Sequence, residues 1–139
     1  MDLDVPANPH GVLYALAGFS AGLTCYVKDG ILCYESNLFE IQRTKIRAKD
    51  KLPTGKVNLE VESKLAGRIG GPMDVTLRVN GKEVAQGRVP AAISLHFTGN
   101  ATFDIGCDLD SPVSLDYFDQ APFPFNGTIG TTKIKYLKK

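Results

Sequence analysis

Asp29-Gly30 stands between two alternating runs, Gly22-Leu-Thr-Cys-Tyr-Val-Lys28 and Ile31-Leu-Cys-Tyr-Glu35. A two-residue type I′ turn needs positive φ at both central residues, and this dipeptide supplies it, so the stretch predicts a β-hairpin. With those two residues at the tip, Lys28 lies opposite Ile31, Val27 opposite Leu32, Tyr26 opposite Cys33 and Cys25 opposite Tyr34. The two-residue period then sorts the side chains. Leu23, Cys25, Val27, Leu32 and Tyr34 share one face, the expected core side. Thr24, Tyr26, Lys28, Cys33 and Glu35 share the other. Cys25 and Cys33 therefore point apart and cannot bridge each other.

The rest of the chain reads the same way. Asp2-Leu-Asp-Val5 alternates up to Pro6, residues 11–18 supply a second apolar run, and residues 38–47 another strand with a bulge or bend near Arg43. A polar loop is expected at 49–55. Residues 56–64 alternate most cleanly, with Val57, Leu59 and Val61 on one face. Asn80-Gly81 marks a second hairpin, pairing Val79 with Lys82, Arg78 with Glu83 and Leu77 with Val84, with an exposed Arg78–Glu83 ion pair. Then come Ile93-Ser-Leu-His-Phe97, a turn at Gly99-Asn100, a short run ending at Gly106, a long acidic loop from Cys107 to Phe125 and a last strand from Gly127 to Leu137. No amphipathic helix of ten or more residues is legible. Many short strands with frequent turn signals predict an all-β fold, an antiparallel two-sheet jelly-roll sandwich over residues 1–139, with the first and last strands as neighbours.

Composition narrows the function classes. The 139 residues suit one domain, and the formal net charge of +1 gives no general attraction to nucleic acid or to an anionic membrane. No apolar run approaches the roughly 20 residues of a spanning helix. The three cysteines lack zinc or disulfide-framework spacing, so free packing thiols are expected. Free thiols and the acidic, Pro-interrupted start, which is unlike a signal peptide, favour a cytoplasmic location.

Several pieces stand in the order of a known pattern: Tyr26-Val-Lys-Asp-Gly30 with Tyr34, Leu52-Pro-Thr-Gly-Lys-Val57, Gly70-Gly71, Val79-Asn-Gly-Lys82-Glu-Val84 with Gly87-Arg88-Val89, Asp104-Ile-Gly106 with Ser111-Pro-Val-Ser114, and Phe125-Asn-Gly127-Thr-Ile129. This ordered set resembles the carboxy-terminal β-sandwich of the bacterial arylsulfatases. The resemblance spans nearly the whole chain and implies a concanavalin A-like (laminin G-like) sandwich that follows a large catalytic domain. It also implies that the chain itself is non-catalytic. The family reaction needs a Cys or Ser converted to formylglycine in a C/S-x-P-S-R setting, and neither Cys25, Cys33 nor Cys107 stands in one. The expected partners are a sulfatase-type catalytic domain or a second copy.

Two groups of residues are candidate sites. Asp104, Asp108 and Asp110, in an Asp-rich loop with Asp116 and Asp119, offer hard oxygen ligands suited to calcium; turn capping uses the same side chains. Otherwise no cofactor is implied. Tyr26 and Glu35, with Arg43 nearby, place an aromatic ring among polar groups, as a sugar or sulfated ligand would want; a plain sheet surface or interface has the same composition. A carbohydrate-binding, lectin-like module is thus the alternative function, although the chain has no Trp for a stacking platform.

Overall fold

The computed structural model describes residues 1–92 and 102–137. Its strands are β1 (Asp2–Val5), β2 (Gly11–Ala17), β3 (Gly22–Lys28), β4 (Ile31–Leu38), β5 (Gln42–Lys51), β6 (Gly55–Leu65), β7 (Met73–Val79), β8 (Lys82–Val89), β9 (Phe103–Ile105) and β10 (Thr128–Ile129), with a 3-10 helix at Leu115–Gln120. They form two antiparallel five-stranded sheets, ordered β10-β1-β6-β7-β8 and β5-β4-β3-β2-β9. The protein is an all-β two-sheet sandwich. The chain starts in the first sheet, spends β2–β5 in the second, returns for β6–β8, crosses for β9 and closes with β10 beside β1. Leu3 faces Ile129 there, so the first and last strands are neighbours. Among the described residues no helix is long and apolar enough to cross a membrane.

The Asp29-Gly30 hairpin has the register its turn dictates, from Lys28↔Ile31 to Cys25↔Tyr34, with φ of 53° and 79° at the two turn residues. The Asn80-Gly81 turn is of the same kind, with φ of 51° and 77°. Its ladder departs from expectation after two pairs, because a bulge between Leu77 and Arg78 sets Leu77 against Ala85 instead of Val84. Arg78 also turns away from Glu83. Its guanidinium pairs with Glu60, directly opposite on β6, and at 2.8 Å with Glu62, the diagonal neighbour, so β6 offers two carboxylates where β8 offers one.

Three other boundaries differ. The break expected near Arg43 is a full turn at Phe39–Ile41, where Phe39 and Glu40 take φ of 50° and 61° and Ile41 N–H donates to the Leu38 carbonyl. Buried Asn37 supports this turn, its Oδ1 accepting from Glu40 N–H at 3.0 Å. β5 runs on to Lys51, shrinking the expected polar loop to residues 52–54. The last strand ends at Ile129, not Leu137, because β1 offers it few partners. The expected strand at 93–97, with His96, and the Gly99-Asn100 turn lie outside the described residues.

The main core lies between the sheets, where Leu3, Val57, Leu59, Val75 and Leu77 meet Leu13, Cys25, Val27, Leu32 and Tyr34. Of the residues that alternation grouped on one face, Cys25, Val27, Leu32, Tyr34, Val57 and Leu59 are buried here, while Leu23 and Val61 are only partly buried. The second sheet is also covered on its outer face, where Val12, Ala15, Tyr26, Cys33, Val113, Tyr117 and Phe123 form a smaller core. A register shift in β2 at Leu13 makes this possible, sending Leu13 to the main core while Val12 and Ala15 share the outer face.

Candidate functional site

The outer face of β3 and β4 is where the chain collects its polar chemistry. Period-two geometry aims Thr24, Tyr26, Lys28 and Glu35 outward, and β5, paired with Glu35↔Lys45 and Asn37↔Arg43, adds two cations beside them. Residues 107–125 then cross over this face as a strap. The strap is held by backbone bonds, Phe123 C=O accepting from Val12 N–H at 2.8 Å and His10 C=O from Asn126 N–H at 3.0 Å. Its apolar side chains seat on the sheet, with Tyr117 edge-on to Tyr26 at 5.1 Å and stacked on Phe123 at 5.3 Å.

Tyr26, Glu35 and Arg43 are brought together, but beneath the strap. Tyr26 and Glu35 are fully buried, so the Tyr26 ring packs on Tyr117 and offers no face to a ligand. This corrects the expectation of an open sheet surface: the apolar residues of the 107–125 loop had to be buried somewhere, and this face receives them. Glu35 accepts from Arg43 at 3.1 Å and from the Ser114 hydroxyl, and Lys45 lies 3.8 Å away. Arg43 also donates to the Val113 carbonyl at 2.7 Å and lies over the Phe19 ring.

Asp116, read in the sequence only as one carboxylate of the Asp-rich loop, is the second anion of the network. It accepts from Tyr26 at 2.6 Å and Lys45 at 2.5 Å, while its backbone carbonyl accepts from Lys28. Ser114 caps the 3-10 helix by accepting from Asp116 N–H at 3.1 Å. Burial pushes the Asp116 carboxyl up, but the hydrogen bonds from Lys45 and Tyr26 and the charges of Lys45 and Lys28 outweigh it and hold it below the ordinary 3.8.

Two of the three aspartates expected for calcium have other partners. Asp104 accepts from Thr102 at 2.7 Å and Leu109 N–H at 3.0 Å, which is turn capping. Asp108 is buried, accepting from Val113 N–H at 2.8 Å and Tyr117 at 2.5 Å. Asp110 is exposed in a positive-φ turn. Among the described residues no group of three or more His, Cys, Asp or Glu is placed to hold a metal ion. Burial pushes Asp108 up, opposed by the Tyr117 and Val113 bonds. All three thiols are free. Cys33 is pushed up to about 11, with burial as the main cause, which makes it a packing residue and not a nucleophile.

The two aspartates give opposite pH dependences. A lowered carboxyl contributes stability above its unfolded value that is lost as pH falls through the folded one; a raised carboxyl costs stability above its unfolded value and is relieved by protonation. Asp116 therefore sets the acid limit of the strap. Near-UV circular dichroism, which reports the packed Tyr26 and Tyr117 rings, is expected to hold as pH falls to about 4 and collapse below the ordinary 3.8 of the carboxyl. In Asp116→Asn the signal should be weaker at neutral pH, with that acid step reduced. An unchanged acid step in the variant would remove Asp116 as its cause.

One open cleft, of about 560 Å³, lies at the tip of the β3–β4 hairpin and is lined by His10, Lys28, Asp29, Lys51, Gln120 and Phe123 among others. Comparison of the chain with protein-family models, with curated proteins and with solved structures found no match.

Proposed function

We propose that the chain is a non-catalytic structural and interaction module, similar to the carboxy-terminal concanavalin A-like sandwich of the bacterial arylsulfatases. Such a module packs against a sulfatase-type catalytic domain or against a second copy. The sealing of Tyr26 and Glu35 beneath the strap carries this reading. The most concentrated polar chemistry among the described residues is committed to holding the fold together, so it cannot reach a substrate. Incubation with an aryl sulfate and calcium is expected to release no sulfate above the buffer rate; turnover that depended on the chain would overturn the reading.

The hairpin-tip cleft favours a second reading, a carbohydrate-binding module. It predicts saturable binding on a glycan array that Gln120→Ala weakens. The interaction module predicts none.

A further inference from the structure

Basic residues recur at alternate positions along β5: Arg43, Lys45, Arg47, Lys49 and Lys51. Ile46 and Ala48 between them belong to the main core, so the two-residue period turns the cations outward. The ladder agrees, since Glu35↔Lys45, Cys33↔Arg47 and Ile31↔Lys51 are direct pairs and such pairs share a face. Arg43 is paired with Glu35 and Lys45 with Asp116. Arg47, Lys49 and Lys51 are exposed and form no ion pair among the described residues. Residues 93–101 hold no Asp or Glu that could supply one.

A bulge concentrates this charge. From Cys33 to Ile31 β4 advances two residues while β5 advances four, from Arg47 to Lys51, so three cations stand against two positions. Ile31 also pairs with Lys28 of β3, which puts Lys28 and Lys51 in one row across the sheet, about 10 Å apart by strand spacing. The Lys51 stem lies across the hairpin tip, its Cδ 3.3 Å from where a Cβ on Gly30 would stand. Lys28 donates one proton to the Asp116 carbonyl and keeps two. Both lysines line the hairpin-tip cleft, so the row runs into it. Exposed Asp29 and Asp50 beside the row leave its four cations in excess. The opposite wall is fixed, because His10 N–H donates to Asn126 Oδ1 at 2.9 Å and Asn126 N–H returns a bond to the His10 carbonyl at 3.0 Å. Ala92 and Thr102 are bonded to Gly71 and Ala17 at the other end of the sandwich, and β10 runs away from the cleft.

We propose that row and cleft together bind one acidic polysaccharide chain, its sulfate or carboxylate oxygens on Arg47, Lys49, Lys51 and Lys28 and a sugar ring in the cleft beside His10 and Gln120. Lysine on an edge strand guards it against pairing with other chains. Guarding needs charge on β5 alone, whereas this row continues to Lys28, two strands in. Single-stranded nucleic acid binds by stacking bases on exposed aromatic rings. β5 carries no aromatic residue, and Phe123, the one Phe, Tyr or Trp lining the cleft, is 6% exposed. A planar lipid surface cannot follow the row into a cleft. The proposal names the class of sugar for the carbohydrate-binding reading of the cleft and rests on that reading.

The experiment is calorimetric titration of the whole chain with dextran sulfate, polygalacturonate and unsubstituted dextran. At least one acidic polymer is expected to bind saturably and dextran not, with affinity falling as salt screens the row. Whichever acidic polymer binds more tightly separates sulfate from carboxylate as the recognised group. The variant Arg47→Gln/Lys49→Gln/Lys51→Gln should bind about tenfold more weakly or worse. Lys64→Gln/Arg68→Gln/Lys82→Gln, which removes the same charge from the β6–β8 region, should bind as the wild type does. Both sets are exposed side chains, so melting midpoints should match the wild type. Equal losses in the two variants overturn the site, as does tighter binding of a single-stranded oligonucleotide or of phosphatidylserine vesicles. No binding of either acidic polymer also overturns it, leaving the cations as edge guards. Gln120-dependent binding of neutral glycans without preference for the acidic polymers overturns the acidic chain alone. The carbohydrate-binding reading survives that result and fails separately if no glycan on the array binds.

Discussion

Gly11→Ala is expected to destabilise the protein by roughly 3 kcal/mol or more, from backbone strain and overpacking together. Gly11 sits where the strap crosses the start of β2, with φ of 113°, a conformation open almost only to glycine. A Cβ there would lie 2.2 Å from the Pro124 carbonyl oxygen and 2.4 Å from the Phe125 Cα, both backbone atoms with no rotamer to yield. The control is Gly81→Ala, where φ is 77° but no atom lies within 4 Å of the added carbon. It carries conformational cost alone, about 1 kcal/mol. Thermal and urea unfolding of the two variants separates the effects. Equal losses would mean that the strap does not press on β2 as described.

Glu35→Ala should cost a comparable amount, on the order of 3–5 kcal/mol, because it removes one member of a buried charged network and leaves its partners facing each other. Glu35 has no exposed side-chain surface, while Arg43 and Lys45 retain 17% and 33%. Without the carboxylate, Arg43 keeps the Val113 carbonyl and Lys45 keeps Asp116, but the Ser114 hydroxyl keeps only a long 3.4 Å contact to the Tyr26 hydroxyl. Glu35→Gln separates shape from charge. It should recover part of the loss, since an amide oxygen still accepts from Ser114 or Arg43 but supplies no counter-charge. Urea unfolding reads the order wild type, Gln, Ala; a Gln variant as unstable as Ala would assign the whole effect to the ion pair.

The hairpin was legible because turn chemistry and alternation are local. Asp29-Gly30 fixes the register by itself, and that register is enough to put Tyr26 and Glu35 on one face. What covers that face was not legible, since Asp116 meets Tyr26 from 90 positions along the chain and no local rule encodes such a contact. One signal did stand in the sequence. Val113, Tyr117, Phe123 and Phe125 put four large apolar side chains into a loop read as acidic, and a loop so supplied has a surface to cover. The Phe39-Glu40 turn gave no such sign, because neither residue type favours positive φ. Its support comes from Asn37, a residue that alternation treats as ordinary strand. The bulge after Leu77 was hidden for a similar reason, as Asn80-Gly81 fixes only the first pairs of its ladder.

The β2–β4 region of the second sheet is a partition between two cores of unequal size. Cooperativity need not be shared equally across it. The sandwich interior is closed by ladders among β2–β5 and β6–β8, none of which uses the strap. The strap is held by one small aromatic cluster, a few backbone bonds and a polar network whose sheet-to-strap bonds are all distant in sequence. No strand pairing among β2–β8 would be broken by its release. The side chains that tie the strap down, Tyr26, Glu35, Arg43 and Lys45, are thus the ones it covers, so cover and anchor are a single set of bonds.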